Sequence, residues 1–330
     1  MYMSKLDKTR ISVLVVGLYY YDYIEYSYKG FERLTGVECL TPLDGPLKPF
    51  KKICLSQALN SIKRMPFQEW LLEEELRKQS LDSRRYDIAI LMECPEAFSR
   101  DYLKKLSDYA SRTCLIMLNP ITDRHKKLLP RVEDLYSLIV TCNPKDAGRD
   151  KKWIYHPDCY TFEPSYANIT QDFDLSFISV DKGRGKLACE IYEKAVQNGV
   201  KCEFIIVNPT KETRERAPVG VKLLDKPLSY EQCLKRTLQA KCILEIVANN
   251  NNYSTLRTME AVVYGRRLLT TNSTLIDDAH YDIANMQVFN APDRIDWSFV
   301  KQGFMGPNNG THSYSVSELL DVIYSHVLER

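Results

Sequence analysis

The chain has 330 residues, 44% hydrophobic and 27% charged, with 45 basic and 43 acidic side chains. At about 100–200 residues per domain this length suits two domains with sizeable cores, and the composition excludes long disorder. The near-balanced charge leaves no global field to attract nucleic acid, and the basic runs at 48–52 and 125–127 are too short to form a stripe or a known module.

In chain order, the N-terminus MYMSKLDKTR is polar and lacks the apolar centre of a signal peptide. No stretch approaches the ~18 apolar residues of a spanning helix, so a cytoplasmic protein is expected, with at most peripheral contact at the inner face of a membrane. Residues 11–16 (ISVLVV) read as a buried strand ending at Gly17, followed by a helix to about Leu34 and a strand at 37–40. A mostly helical stretch follows at 51–78, then a strand at 86–92, a helix at 100–111, and strands at 114–118 and 138–141. Residues 143–172 carry Asn143-Pro144, His156-Pro157 and Glu163-Pro164, breaker signals that read as an inter-domain connection.

The alternation then restarts. Strands are expected at 173–179, 202–207, 242–247, 267–270 and 286–289, with helices at 184–198, from Ser229 to about Ala240, at 255–264, and at 315–328. Two blocks of alternating buried strands and helices predict two Rossmann-like, doubly wound α/β domains facing a central cleft. The expected division is 1–160 and 161–330, with the last helix packing back on the first domain. Ten cysteines include no C-x-x-C pair, and Cys114, Cys202 and Cys242 lie in apolar runs, as buried thiols do. A reducing compartment is expected, with no disulfide framework, no metal and no cofactor.

Ligands of open parallel sheets bind beyond the carboxyl ends of the strands, so the segments after each strand carry the chemistry. After the first strand only Gly17 of a dinucleotide fingerprint is present, and no phosphate-loop lysine motif occurs. That excludes nicotinamide and ATP enzymes of the usual kind. The tyrosines at 19–21 and Asp22 either line a cleft or pack under and cap the helix. After 173–179 comes VDKGRGK, where Arg184, Lys186 and a helix start suit a diphosphate or else form an exposed basic turn.

The richest segment is NNNNYSTLRTMEAVVYGRRLLTTN at 249–272. Four asparagines precede a helix start at Ser254 or Thr255, whose free N–H groups suit an anion. Leu256, Met259 and Val263 have the spacing of a buried stripe. Arg257 and Glu260, three apart, either hold the phosphates and ribose of a nucleotide or form a surface ion pair. Thr271 and Asn272 form a second polar strand end.

The run TLRTMEAVVYGRRLLTTN resembles the donor-binding segment of GT-B glycosyltransferases, in which a helical glutamate grips the nucleotide ribose. With VLVVGLYYYDY, DLSFISVDKGRGK and LSYEQCLKRTLQAKCILEIV in the same order, the chain is similar to bacterial lipopolysaccharide or capsular polysaccharide biosynthesis proteins akin to the CgeB-like group. The resemblance spans most of residues 11–290 and places the ribose carboxylate at Glu260. Of the two glutamates that many relatives carry with seven residues between them, Glu260 matches the second, and Asn252 stands where the first would be.

The resemblance implies metal-independent transfer of a sugar from a nucleotide-sugar to a glycan or lipid-linked acceptor in surface polysaccharide biosynthesis. The second domain holds the donor, and the first holds the acceptor and a base. Asp22 is the candidate base, with Asp123 and His125 behind it. A nucleotide-sugar epimerase of the same fold, and a catalytically silent sugar-nucleotide or glycan-binding partner in an assembly complex, stand as alternatives. Donor sugar, acceptor, stereochemistry and oligomeric state are not readable from the sequence.

Overall fold

The computed structural model describes residues 11–17, 22–40, 65–92, 99–247 and 253–328. The chain divides into two compact units, Met1–Thr161 with Ser315–Arg330, and Phe162–Tyr314.

The first unit is built on β1 (Val13–Val16), α1 (Asp22–Tyr28), β2 (Val37–Cys39), α2 (Met65–Lys78), β3 (Tyr86–Met92), α3 (Arg100–Tyr109), β4 (Ala110–Met117), α4 (Asp123–Leu128), β5 (Leu138–Thr141) and β6 (Trp153–Tyr155). Among the described residues its six strands are all parallel, in the order β2-β1-β3-β4-β5-β6. Every residue of β1 and β5 is buried, because helices cover both faces and the strands need continuous apolar runs. Alternate side chains go to opposite layers. Leu14 packs in a cluster with Leu72, Leu76, Leu103 and Leu106 of α2 and α3, whereas Val13 and Val15 join Ile24 of α1.

That second layer is completed from the far end of the chain. The last helix, at Val316–Val327, places Val316, Leu319, Leu320, Ile323 and Val327 in it. Each such burial stabilises by roughly 1.5–3 kcal/mol. Because the first unit takes up both chain ends, the second unit is an insertion between them.

The segment read as a connection, 143–172, contains β6, which pairs with β5 from Ile139↔Trp153 to Thr141↔Tyr155. Three residues between breakers give no periodicity to read. Trp153 is fixed from elsewhere, its Nε1 donating to Glu133 Oε1 at 2.6 Å. The helix read to Ser111 ends at Tyr109, where β4 begins. Residues 51–64 of the long expected helix lie outside the described residues.

The second unit comprises β7 (Phe173–Val180), α5 (Gly185–Gln197), β8 (Cys202–Val207), α6 (Lys211–Arg216), β9 (Lys222–Leu224), α7 (Tyr230–Leu238), β10 (Ala240–Glu245), α8 (Leu256–Tyr264), β11 (Arg267–Thr270), β12 (Met286–Val288) and α9 (Trp297–Lys301); the final helix, α10, returns to the first unit. Its strands are also parallel, ordered β12-β11-β10-β7-β8-β9. The chain starts at the centre, lays β8 and β9 to one side, then returns to lay β10, β11 and β12 to the other. This is the Rossmann strand order, and its direction reverses between β7 and β10. β9 was not expected from the sequence, since its three residues begin with an exposed lysine. Two Rossmann-like α/β units are therefore the architecture of the chain.

Candidate functional site

In such a sheet the switch point, here between β7 and β10, leaves room for a ligand beyond the strand ends. Each of the two strands delivers an arginine to it. Arg184 follows β7 and donates from Nη1 to Ile246 O at 3.0 Å, from Nη2 to Val180 O at 2.7 Å and from Nε to Asp181 O at 3.3 Å. Arg257, from the first turn of α8, donates from Nη2 to Ile178 O at 3.1 Å. One side chain thus reaches from β7 to the end of β10, and the other reaches back.

Their electrostatics differ. The Arg184 contacts are neutral carbonyls, and among the described residues no ion pair engages it. Burial and then the nearby charge of Arg257 push its pKa down, and Asp181 and Glu245 pull only partly the other way. Arg257 is also penalised by burial, but Glu260 and Tyr230 beside it outweigh that and push its pKa up. Two guanidiniums held near enough to repel, one without a counter-charge in contact, form a site that an oxyanion would stabilise.

Glu260 is 0% exposed. Its Oε1 accepts from Tyr230 Oη at 2.7 Å, and its Oε2 is paired with Arg257 Nη1. The pair is therefore interior, which corrects the surface-pair alternative: the arginine side chain is 18% exposed and the glutamate not at all. Met259 and Val263 are buried as the stripe requires, but Leu256 is only half-buried, and the covered face of α8 extends to Thr258, Glu260, Ala261 and Tyr264.

A second enclosed carboxylate, Glu245 at the end of β10, is 3% exposed. It accepts from Thr255, from Thr258 at 2.8 Å and from Thr270. Thr255 is also the N-cap of α8, its Oγ1 accepting from Arg257 N at 3.1 Å. Glu245 thereby locks the start of α8 to the ends of β10 and β11. Sequence reasoning missed Glu245 and Tyr230. The available signal was a single carboxylate inside the apolar strand run CILEIV.

The glycine turn after β7 is closed from within. Asp181 Oδ1 accepts from Gly183 N at 3.1 Å and Gly185 N at 2.9 Å, and its Oδ2 accepts from Thr210 N at 2.8 Å. The turn amide of Gly183 and the first amide of α5, that of Gly185, are thus taken by a side chain. A Cβ on Gly185 would lie 2.2 Å from Thr213 Oγ1 and 2.8 Å from Asp181 Oδ2. Gly185→Ala is accordingly expected to destabilise the second unit by about 1–3 kcal/mol, measured by urea unfolding.

Burial works to raise the Asp181 pKa, but hydrogen bonds from Thr213, Thr210 and Gly185 outweigh it and lower it. A carboxyl with a lowered folded-state pKa contributes stability above its unfolded value of about 3.9, and that contribution is lost as pH falls through the folded value. Wild type should lose stability on acidification below about pH 4 more steeply than Asp181→Asn, as read by unfolding midpoints from pH 3 to 6.

Of the other sequence candidates, Lys186 is exposed on α5, with no contact among the described residues to either arginine. Ser254 is turned away, its hydroxyl on Asp278. Thr271 and Asn272 hold backbone: Thr271 Oγ1 accepts from Val247 N at 3.0 Å, and Asn272 Nδ2 donates to Tyr253 O at 3.0 Å. Asp22 opens α1, but its side chain lies outside the described residues, as do the asparagines at 249–252. His125 and Asp123 belong to α4 rather than to a loop. The His125 Nδ1 accepts from Thr122 N at 3.3 Å in a capping box, and Asp123 pairs with Lys126 at 2.9 Å.

Eight cysteines among the described residues are free thiols, and no group of potential metal ligands occurs among them. No helix among the described residues is long and apolar enough to cross a membrane.

No protein-family model and no curated protein matches the chain. Solved structures do match it in fold. An Anabaena protein, HepE, solved in complex with UDP and glucose, aligns at a TM-score of 0.53 and 10% identity, over 97% of this chain and 100% of its own. An alpha-glucosyltransferase in complex with UDP and a 13-mer DNA aligns at 0.54 and 12%, over 95% of this chain and 99% of its own. A chain of the glycosylation associate protein complex from Streptococcus agalactiae aligns at 0.47 and 15%, over 79% of this chain; this chain spans only 57% of its length. At these identities the likeness is one of fold.

Proposed function

We propose that the chain is a glycosyltransferase: its second unit binds a nucleotide-sugar, and the sugar passes without a metal to a glycan or lipid-linked acceptor in surface polysaccharide biosynthesis. The observation that carries the reading is the Arg184–Arg257 pair at the β7/β10 switch point. Support comes from structures of the same fold, one holding UDP and glucose and one an alpha-glucosyltransferase holding UDP.

Breaking the bond between the sugar and the nucleotide leaves negative charge on the departing diphosphate. Once the donor is bound, two guanidiniums stabilise that charge as it develops. Arg257 is the hinge of the arrangement. Turning its guanidinium from Glu260 to the diphosphate opens the carboxylate to the ribose hydroxyls, so the ion pair of the free protein is exchanged for two contacts with donor. The first unit is assigned the acceptor, with Asp22 as the base.

A thermal-shift screen against UDP-, GDP-, dTDP- and CMP-sugars tests the reading. One nucleotide should raise the melting temperature, because a ligand that binds only the folded state stabilises it. Arg184→Ala should abolish that shift. Failure of every nucleotide to stabilise the protein would sink the proposal. The silent-partner reading is favoured by the enclosure of Glu260 in its own ion pair. It is separated by turnover: a silent protein binds the nucleotide-sugar but neither hydrolyses nor transfers it.

A further inference from the structure

At the opposite edge of the second sheet, beside the amino ends of β11 and β12, a cavity of about 230 Å³ opens between the end of α8, the approach to β12 and the segment 304–313. Nothing in the donor reading uses these residues. Phe304 and Met286 supply apolar surface, while His280, Asp282 and Asn309 supply polar edges.

The walls are fixed before any ligand arrives. Asn285 Nδ2 donates to Asp282 Oδ2 at 2.7 Å and to Met305 O at 3.0 Å, and its Oδ1 accepts from Met305 N at 2.7 Å. Asn308 Nδ2 donates to Val263 O at 3.1 Å. A Cβ on Gly310 would lie 2.1 Å from Val262 O, so this wall rests directly on the backbone of α8. The His280 ring stacks on Tyr314 at 4.1 Å, and its Nδ1 lies 3.2 Å from Asp278 Oδ1.

Arg266, 5% exposed, lines the same cavity. Its Nε donates to Leu238 O at 3.2 Å, and its Nη1 to Tyr264 O at 2.8 Å, closing the carboxyl ends of α7 and α8. Its buried Nη2 has no partner among the described residues. The guanidinium lies at the negative ends of those two helices, and Asp282 puts a carboxylate on the same cavity wall. With Arg266 and Asp282 both on its wall, the cavity is polar and balanced in formal charge. An apolar face beside a few hydrogen-bonding edges suits a ligand that is apolar on one side and hydroxylated at its rim.

We propose that this cavity binds one neutral sugar residue, a glycan subsite separate from the nucleotide site. The ring lies on Phe304, and its hydroxyls take His280, Asp282 and Asn309. The proposal stands whether or not the donor assignment does, since the two sites share no residue.

Titration of the full-length, isotopically labelled protein with methyl α-glucoside, methyl β-galactoside and methyl N-acetyl-β-glucosaminide, followed by amide chemical shifts, tests it. Saturable shifts confined to residues 280–286 and 304–313 are expected with at least one glycoside. Phe304→Ala and, separately, the exposed Asn309→Ala should weaken that binding at least fivefold, with spectra that remain those of a folded protein. The absence of saturable shifts with all three would overturn the proposal. So would binding unaffected by Asn309→Ala, or the same shifts produced by inorganic phosphate, which would mark an anion site instead.

Discussion

Arg257→Met is expected to be the most destabilising single substitution at the switch point, lowering the melting temperature of the second unit by on the order of 10 °C. The reason is what it leaves behind. Glu260 has no exposure, and its only remaining contact of those described above is the Tyr230 hydroxyl. A buried carboxylate stripped of its counter-ion typically costs about 3–5 kcal/mol. Replacing both partners, as in Arg257→Met with Glu260→Leu, removes the charge along with its partner and should recover most of that loss. The difference between the single and double substitutions then measures their coupling. An i,i+3 pair on a surface contributes only about 0.2–0.5 kcal/mol. A melting curve for Arg257→Met within a degree of wild type would therefore contradict the interior pair on which the donor site is built.

The architecture was legible because a parallel sheet covered on both faces writes itself as runs such as ISVLVV and DLSFIS, separated by helix-length segments. The unread strands, β6 and β9, are three residues long and held by partners distant in sequence, which no local pattern reports. At the site, the residues with chemistry were visible, but their surroundings were not. Arg257 and Glu260 stood out by type and spacing, yet spacing could not tell an interior pair from a surface one. That distinction comes from Tyr230, thirty residues earlier, and from Ile178 on another strand. The VDKGRGK loop shows the same limit. Its cations and helix start suited a diphosphate or an exposed turn, and no local pattern showed that Asp181 takes the Gly183 and Gly185 amides or that Thr213 takes the space a side chain at 185 would need. Arg184 survives as a candidate because it points across the sheet to Ile246, a contact that follows from the strand order rather than from its own neighbours in sequence.

Glu260→Gln separates the nucleotide role of that residue from its structural one. The amide keeps the shape, and its oxygen can still accept from Tyr230 or Arg257, so the folded protein should persist with a smaller loss than Arg257→Met. Binding should suffer more. Charge-assisted hydrogen bonds from ribose hydroxyls contribute roughly 1.5–3 kcal/mol each, and loss of even one corresponds to about a tenfold fall in affinity. Calorimetric titration of wild type and Glu260→Gln with the best nucleotide from the screen should therefore show at least that fall, with both proteins folded at the temperature used. The free-state ion pair sharpens the expectation. In wild type the donor must draw Arg257 away from a carboxylate that holds it tightly, whereas a neutral amide releases the guanidinium more readily. Weaker binding in spite of that release would identify the carboxylate itself as a ligand of the ribose. Equal affinities would reject the ribose contact, leaving Arg184→Ala to decide whether the nucleotide binds at the switch point at all.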